Sequence, residues 1–193
     1  MFKVRFFVLF FILWKNIYSQ KQNKKFLIDG CNTEECLNEL FFVLNNNKKK
    51  YKYFVKNIPI DLPLKVYKTE LSSIYGGRFH PIDKKRKKHR GIDLKANIGE
   101  FIYAPANGVV SQIKLSNKGY GKRIRITHLF KFETFYAHLS MILVKKNQII
   151  RKGDIIGLIG STGKSTGAHL HYEIYKNKKN INPGLIIKNM KYE

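Results

Sequence analysis

Residues 169–175 read His-Leu-His-Tyr-Glu-Ile-Tyr, and they are the most informative stretch of this 193-residue chain. Polar and apolar side chains alternate along the first six positions, which is the period of a β-strand with one buried face. In an extended strand His169, His171 and Glu173 point to one side, and the apolar residues between them point to the other. Two imidazoles on one face are poorly explained by packing, so the stretch predicts a strand that carries functional side chains.

Short strands separated by turns are also predicted on both sides of this stretch. Runs rich in β-branched and aromatic residues occupy 101–104, 109–115, 123–128, 132–138 and 155–160. Glycine-containing turn sequences lie between them, and we find no helical period among them. The main part of the chain is therefore predicted to be a mainly β domain with a curled, antiparallel sheet.

Two further phrases add metal-binding side chains to the same domain. His89-Arg90-Gly91-Ile92-Asp93 places an imidazole and a carboxylate four residues apart, on one face of a single extended strand. Tyr136-Ala137-His138 adds another imidazole. Two histidines and one aspartate are the ligands with which a catalytic zinc keeps its fourth position open for water. A zinc hydrolase exported from the cytoplasm is the leading hypothesis.

The charge of the chain is strongly positive, with 37 Lys and Arg against 13 Asp and Glu and a formal net charge of +24. Such an excess favours polyanionic surroundings, including acidic cell-wall polymers and anionic membrane lipids. Nucleic acid is an unlikely partner, because the lysines are scattered rather than concentrated on one element beside exposed aromatics.

The first nineteen residues are predicted to be a signal peptide or a retained amino-terminal anchor. Lys3 and Arg5 precede an apolar run over 6–14, which is too short to span a bilayer but suits a secretory signal. We therefore expect a periplasmic, cell-envelope or secreted protein. Residues 188–193 are expected to form a carboxyl-terminal tail.

Residues 20–68 are predicted to form an amino-terminal segment with one short helix over about 33–43. Asn32 and Glu35 resemble a helix-capping pair, and apolar residues then recur at helical spacing. The sequence leaves open whether this segment docks on the main domain, shields its cleft or tethers it. It also leaves open whether Cys31 and Cys36 form a disulfide, as an oxidising compartment would allow.

Five phrases, in order between Ser72 and Pro183, resemble the zinc metallopeptidases of the lysostaphin and LytM type, peptidase family M23. These phrases occupy 75–82, 89–93, 104–110, 135–140 and 160–174. The resemblance implies a peptidase domain over 69–187, with a groove in a compact antiparallel β-sheet fold related to the barrel-sandwich hybrid. It also implies an endopeptidase that hydrolyses peptidoglycan cross-links or stem peptides through a metal-activated water. One zinc ion would be bound by His89, Asp93 and His171, and the catalytic histidines would be His138 and His169.

Three other functional classes fit the sequence less well. A non-catalytic wall-binding module or amidase activator on the same fold commonly lacks the ligands that are present in this chain. A lipoyl-like carrier, suggested by residues 148–157, would need a lysine in a hairpin and would leave the histidines unexplained. A phosphate-binding loop ending at Gly163-Lys164-Ser165 fails, because Leu158 stands where the first glycine is required.

The remaining polar residues allow weaker predictions. His80 is expected to have a structural or rim role, and His128 an ordinary one. Glu173 is predicted either to orient a neighbouring histidine or to be solvated. The basic run 84–88 is expected on a loop, where it is either solvated or attracts substrate carboxylates to the rim of the cleft.

Overall fold

A computed structural model describes residues 27–64, 70–79 and 84–188, and the side chains of 187 and 188 are not described. The helices whose two ends are both described are α1 Glu34–Asn46, α2 Lys52–Asn57 and α3 Gly184–Lys188, and residues 27–30 are also helical. The first strands are β1 Leu71–Ser73, β2 Gly76–Phe79, β3 Arg86–His89, β4 Ile92–Lys95, β5 Phe101–Tyr103, β6 Gly108–Lys114 and β7 Lys122–His128. The others are β8 Phe132–Leu139, β9 Met141–Ile142, β10 Ile149–Ile150, β11 Ile155–Leu158, β12 His169–Lys176 and β13 Lys179–Ile181.

The largest sheet is antiparallel and has the strand order β1-β4-β12-β8-β7-β6-β10, with β13 paired to part of β12. Strand β12 therefore lies between β4 and β8 and is covered on both edges. A three-stranded sheet, β5-β11-β9, and a two-stranded β2-β3 ladder complete the domain. The mainly β, antiparallel fold predicted from the sequence is confirmed.

The alternation read in β12 is confirmed by burial. Leu170, Tyr172 and Ile174 are fully buried in the hydrophobic core, beside Ile92 and Leu94 of β4. The core therefore holds one face of β12, and the opposite face presents its histidines and Glu173 to a separate polar cluster.

The amino-terminal segment docks on the β domain and shares its core. Phe41 of α1 is fully buried and packs against Phe132, with ring centroids 6.2 Å apart. The Asn107 and Tyr103 amides donate to backbone carbonyls of the segment at 2.7 and 2.8 Å. Phe132 pairs with Lys176 at one end of the β8-β12 ladder, whereas Ala137 pairs with His171 at the other. The segment thus packs at the end of the sheet that lies away from His171.

Within this segment, α1 begins with a different cap from the one predicted. Thr33 is the N-cap, and its hydroxyl accepts from the Cys36 amide at 3.2 Å, whereas the Asn32 side chain donates to the Gly30 carbonyl. The structure also contains a second helix, α2, whose six residues are too few to show a helical period. Cys31 and Cys36 form a disulfide that brackets the start of α1.

Two sequence expectations about the site strands are wrong in detail. His89 and Asp93 do not share one strand, because the extended conformation is interrupted at Arg90-Gly91, between the end of β3 and the start of β4. The basic run 84–88 does not lie wholly on a loop, since residues 86–88 belong to β3 and pair with β2.

Some predictions concern residues outside the described parts of the chain. These are the signal peptide or anchor over 1–19, the role of His80, and the tail beyond residue 188. Among the described residues, no helix combines the length and apolar character needed to cross a bilayer.

Candidate metal centre

His89, Asp93 and His171 meet at one buried point, where β3, β4 and β12 come together. His171 lies directly opposite Asp93 in the β12-β4 ladder. His89 is the last residue of β3, and the bend at Gly91 leads into β4 so that the Asp93 carboxylate lies next to the His89 ring. A Cβ atom at Gly91 would lie 2.3 Å from the Tyr172 carbonyl oxygen, so only glycine fits this turn.

The three donor atoms are close enough to share one ion. His89 Nε2 lies 3.1 Å from Asp93 Oδ1 and 3.0 Å from His171 Nδ1, and His171 Nδ1 lies 2.8 Å from Asp93 Oδ1. All three side chains are buried. Such spacing suits ligands of one zinc ion, whose bonds to nitrogen and oxygen are about 2.0–2.2 Å long.

The other ring nitrogen of His89 and of His171 is held by a hydrogen-bond acceptor. His89 Nδ1 donates to the Ile74 carbonyl at 2.7 Å, and His171 Nε2 donates to Glu173 Oε1 at 2.9 Å. A neutral imidazole has only one N–H group, so these contacts leave His89 Nε2 and His171 Nδ1 with lone pairs that face Asp93. One divalent cation satisfies all three donor atoms, whereas a single proton bridges only two of them.

Arg78 and Glu173 stabilise the cluster from outside. Arg78 Nη2 lies 3.0 Å from Asp93 Oδ2, so Oδ1 is left to face His89 and His171. Arg78 Nη1 donates to the Ser73 hydroxyl at 2.6 Å. Glu173 is almost fully buried and also accepts from the Tyr120 hydroxyl at 2.9 Å and from the Tyr175 hydroxyl. Glu173 is therefore not a solvated residue but the partner that orients His171.

The charges of this cluster are strongly coupled. Burial alone would raise the pKa of Asp93, but hydrogen bonds and charge from His171 and His89 outweigh it and hold that pKa well below its usual range. Burial would likewise lower the pKa of His171, but Asp93 and Glu173 on its two sides raise it. The position between the two carboxylates therefore favours a positive charge.

His138 and His169 lie beside the cluster of His89, Asp93 and His171, with their own ring centroids 4.8 Å apart. His138 Nδ1 donates to the Thr162 carbonyl at 2.7 Å, and His169 Nδ1 donates to the Gly167 carbonyl at 2.9 Å. When either ring is neutral, its Nε2 atom is consequently the unprotonated nitrogen. His169 Nε2 lies 3.8 Å from Asp93 Oδ1, next to the ligand atoms.

The backbone and environment of His138 are unusual for a strand residue. Its φ angle is +65°, a left-handed conformation that is rare for a non-glycine residue and that clusters at functional sites. Burial lowers the pKa of His138 to about 4, although the hydrogen bond to Thr162 acts in the opposite direction. The ring is therefore neutral at physiological pH.

An open cleft of about 240 Å³ contains all five of these side chains. Besides them, its walls are formed by Arg78, Lys87, Lys88, Arg90, Gly119, Tyr120, Lys164, Ser165 and Thr166. None of residues 27–64, which make up the described amino-terminal segment, lines the cleft.

Two residues of the site were missed by sequence reasoning. Arg78 stands within one of the phrases quoted above, but nothing local shows that it pairs with Asp93. Tyr120 lies between Gly119 and Gly121 in the β6-β7 connection, and an aromatic residue between two glycines is the only local signal. The other described histidine, His128, is buried elsewhere and hydrogen-bonds Asn107 and Thr134, so its predicted ordinary role agrees with its position.

Comparison with known proteins gives a consistent result. The model of peptidase family M23 matches residues 87–183. The peptidoglycan DD-endopeptidase ShyA of Vibrio cholerae is 42% identical over 106 residues, which are 54% of this chain and 24% of that protein.

Solved structures resemble the same region. A zinc-containing peptidase from Vibrio cholerae has a TM-score of 0.58 at 31% identity, covering 63% of this chain and 37% of that one. The catalytic domain of the antimicrobial peptidase lysostaphin from Staphylococcus simulans has a TM-score of 0.56 at 30% identity, covering 62% and 92%. The chain spans only 22% to 37% of the length of the first curated relatives that it matches.

Proposed function

Since this chain belongs to peptidase family M23, we propose that it is a zinc-dependent endopeptidase that hydrolyses peptide bonds in peptidoglycan. The observation that carries the proposal is the buried meeting of His89 Nε2, Asp93 Oδ1 and His171 Nδ1 within 2.8–3.1 Å of one another. This is a three-ligand set beside an open cleft, as a catalytic metal requires.

We assign His89, Asp93 and His171 as the zinc ligands, with one zinc ion per chain. Zinc bound there would polarise the scissile carbonyl and make a water molecule more acidic. Glu173 and the Ile74 carbonyl would hold the ligand rings in the tautomers that metal binding needs. Arg78 would keep the Asp93 carboxylate oriented and charged.

We assign the proton transfers to His138 and His169. The Nδ1 atom of each ring is engaged by a backbone carbonyl, so a neutral ring can accept a proton at Nε2 from the attacking water and return it to the leaving amine. A ring that carries the proton can donate a hydrogen bond from Nε2 to the oxygen of the tetrahedral intermediate. The carbonyls of Thr162 and Gly167 fix both rings in place for these tasks.

The proposed substrate is a peptidoglycan cross-link or stem peptide, and the proposed location is the periplasm, the cell envelope or the medium. The family match and the relative named a peptidoglycan DD-endopeptidase support both. The basic, apolar start of the sequence is consistent with export through a signal peptide or an anchor. Anionic wall or membrane polymers are proposed as further partners of this strongly basic chain.

The test is to incubate residues 20–193, loaded with zinc, with several types of peptidoglycan and to identify new amino termini by mass spectrometry. We expect zinc-dependent cleavage that is lost in His138→Ala although this variant still binds zinc. Absence of both cleavage and bound zinc would contradict the proposal and favour a non-catalytic wall-binding module.

A further inference from the structure

Tyr120 is the only tyrosine among the described residues that line the cleft. It lies in the connection between β6 and β7, between Gly119 and Gly121, whose φ angles of +56° and +63° are in the left-handed region. A Cβ at Gly121 would lie 2.4 Å from the Thr162 carbonyl oxygen, so only glycine lets this loop approach the β11-β12 connection so closely. The backbone on both sides of Tyr120 is therefore built to place this residue at the cleft.

The carbonyl of Tyr120 fixes the loop to the opposite side of the site as well. It accepts a hydrogen bond from the His138 amide at 3.0 Å. His138 has a left-handed backbone, a conformation that persists only where its surroundings hold it. The position from which the Tyr120 side chain extends is thus set by strand β8 and by the β11-β12 connection.

The Tyr120 hydroxyl reaches a buried carboxylate on β12. It donates to Glu173 Oε1 at 2.9 Å, and the same oxygen atom accepts from His171 Nε2 at 2.9 Å. The Tyr175 hydroxyl donates to the other carboxylate oxygen, Oε2. Because Glu173 is only 1% exposed, these three donors determine where its carboxylate lies.

The ring of Tyr120 also lies against the imidazole of His171. Their centroids are 5.2 Å apart, and the centroid of Phe135 lies 5.1 Å from that of Tyr120 in an edge-on arrangement. Tyr120 therefore contacts His171 directly and also shares with it one acceptor atom of Glu173.

We propose that Tyr120 is a positioning residue that holds the His171 imidazole, through Glu173, in the orientation that directs Nδ1 to the metal. This inference rests on the proposed assignment of His171 as a zinc ligand. The hydroxyl fixes Oε1, and Oε1 in turn fixes the Nε2–H group of His171, so Nδ1 keeps its lone pair towards Asp93. Groups that orient a metal ligand from outside contribute to metal affinity.

A purely structural role for Tyr120 leads to a different expectation. If the hydroxyl only satisfied a buried carboxylate, its removal would lower folding stability and leave the zinc affinity of the folded protein unchanged. Zinc affinity therefore separates a positioning role from a structural one.

Tyr120→Phe is the first test, because it removes the hydroxyl and keeps the ring and the backbone carbonyl. We expect the dissociation constant for zinc to rise about fivefold, measured by competition with a chromophoric chelator. The matched control is Tyr136→Phe, which removes a fully buried hydroxyl that donates to Thr134 and does not line the cleft. This control should lose stability in urea unfolding of the zinc-free protein but keep its zinc affinity. Unchanged zinc affinity in Tyr120→Phe would overturn the inference.

The second test asks whether the hydroxyl acts through Glu173. Glu173→Leu removes both acceptor oxygens, so adding Tyr120→Phe to this variant should change zinc affinity by less than about twofold. The same fivefold loss in the presence and in the absence of the carboxylate would show that the hydroxyl does not act through Glu173, and it would overturn the proposed route.

Zinc affinity is measured without substrate, so this inference and the proposed function can fail separately. A fivefold loss in Tyr120→Phe, with no cleavage of peptidoglycan by the parent protein, would support the positioning role and contradict the peptidase. Unchanged affinity in Tyr120→Phe, with zinc-dependent cleavage by the parent protein, would overturn the positioning role and leave the peptidase.

Discussion

His171 and Asp93 face each other across neighbouring antiparallel strands, and His171 Nδ1 lies 2.8 Å from Asp93 Oδ1. Their distance is therefore set by the register of β12 on β4 rather than by a flexible loop. A slip of one residue would turn His171 to the hydrophobic face and separate the pair. The precision of the candidate metal centre thus depends on the packing that fixes this register.

Gly91→Ala tests this dependence. The added methyl would overlap the Tyr172 carbonyl at 2.3 Å, so the β3-β4 turn must move. We expect a loss of about 3 kcal/mol of folding free energy and weaker zinc binding, measured by urea unfolding and by chelator competition. The control is Gly77→Ala on β2, where a Cβ meets nothing within 4 Å. Equal behaviour of the two variants would contradict the prediction.

Glu173→Gln tests whether the hydrogen bond from His171 to the Glu173 carboxylate strengthens metal binding. The amide keeps the size of the carboxylate but removes its charge, so it orients and polarises the imidazole less well. We expect zinc affinity to fall about 10- to 100-fold, measured by competition with a chromophoric chelator. Glu133→Gln is the control, because Glu133 pairs with Arg125 and does not line the cleft. Unchanged affinity in Glu173→Gln would show that the hydrogen bond is unimportant for metal binding.

His138→Ala tests the proposal that His138 transfers protons and does not bind the zinc ion. We expect kcat to fall about 10²- to 10⁴-fold, with one zinc per chain retained in elemental analysis. His128→Gln, assayed at pH 7.5, removes a buried histidine outside the cleft and should keep most of the activity. Loss of zinc in His138→Ala would instead identify this residue as a ligand.

His128 is expected to make folding stability sensitive to acid. Burial lowers its pKa from 6.5 to about 4, although the Asn107 carbonyl raises it. Between these pH values the unfolded chain binds a proton at His128 and the folded chain does not, so the free energy of unfolding decreases as pH falls. The full loss is about 3 kcal/mol, at 1.36 kcal/mol per pKa unit.

The measurement for His128 is urea unfolding between pH 7 and pH 4. Other groups also titrate in this range, so the quantity of interest is the difference in pH slope between the parent and His128→Gln. The variant should lose less stability on acidification. Parallel curves for the two proteins would be inconsistent with a buried neutral histidine.

Phe41→Ala tests whether the amino-terminal segment and the β domain unfold together. Phe41 is fully buried against Phe132, so its truncation should cost about 3–5 kcal/mol. Phe42, its neighbour in sequence, is 54% exposed, and Phe42→Ala should change stability by less than about 0.5 kcal/mol. One shared transition, monitored by circular dichroism and by cleavage activity, is expected in both variants. Separate transitions for segment and domain would contradict a common core.

The sequence predicted those features that depend on local patterns. Alternation in β12 is local, because neighbouring side chains of a strand always point to opposite faces. The interruption of the strand between His89 and Asp93 was missed because it follows from the close approach of Gly91 to Tyr172, which is remote in sequence. Tyr120 was missed for the same reason, since its partner Glu173 lies 53 residues away.

Helix α2 was missed for a different reason. Its residues, Lys-Tyr-Phe-Val-Lys-Asn, are too few to show a helical period. Short helices depend mainly on tertiary packing rather than on intrinsic propensity. Here Val55 and Asn57 are buried against the rest of the protein, and this contact is invisible in the sequence.

The position of the amino-terminal segment has a consequence for how the protein could be switched on. A segment that fills the core at the far end of the sheet, and leaves the cleft open, cannot serve as a plug that proteolysis removes. Cutting away residues 27–64 would expose Phe132 and its neighbours and damage the fold instead of releasing activity. Residues 27–64 thus belong to the same folding unit as the β domain and are not a removable cover over the cleft.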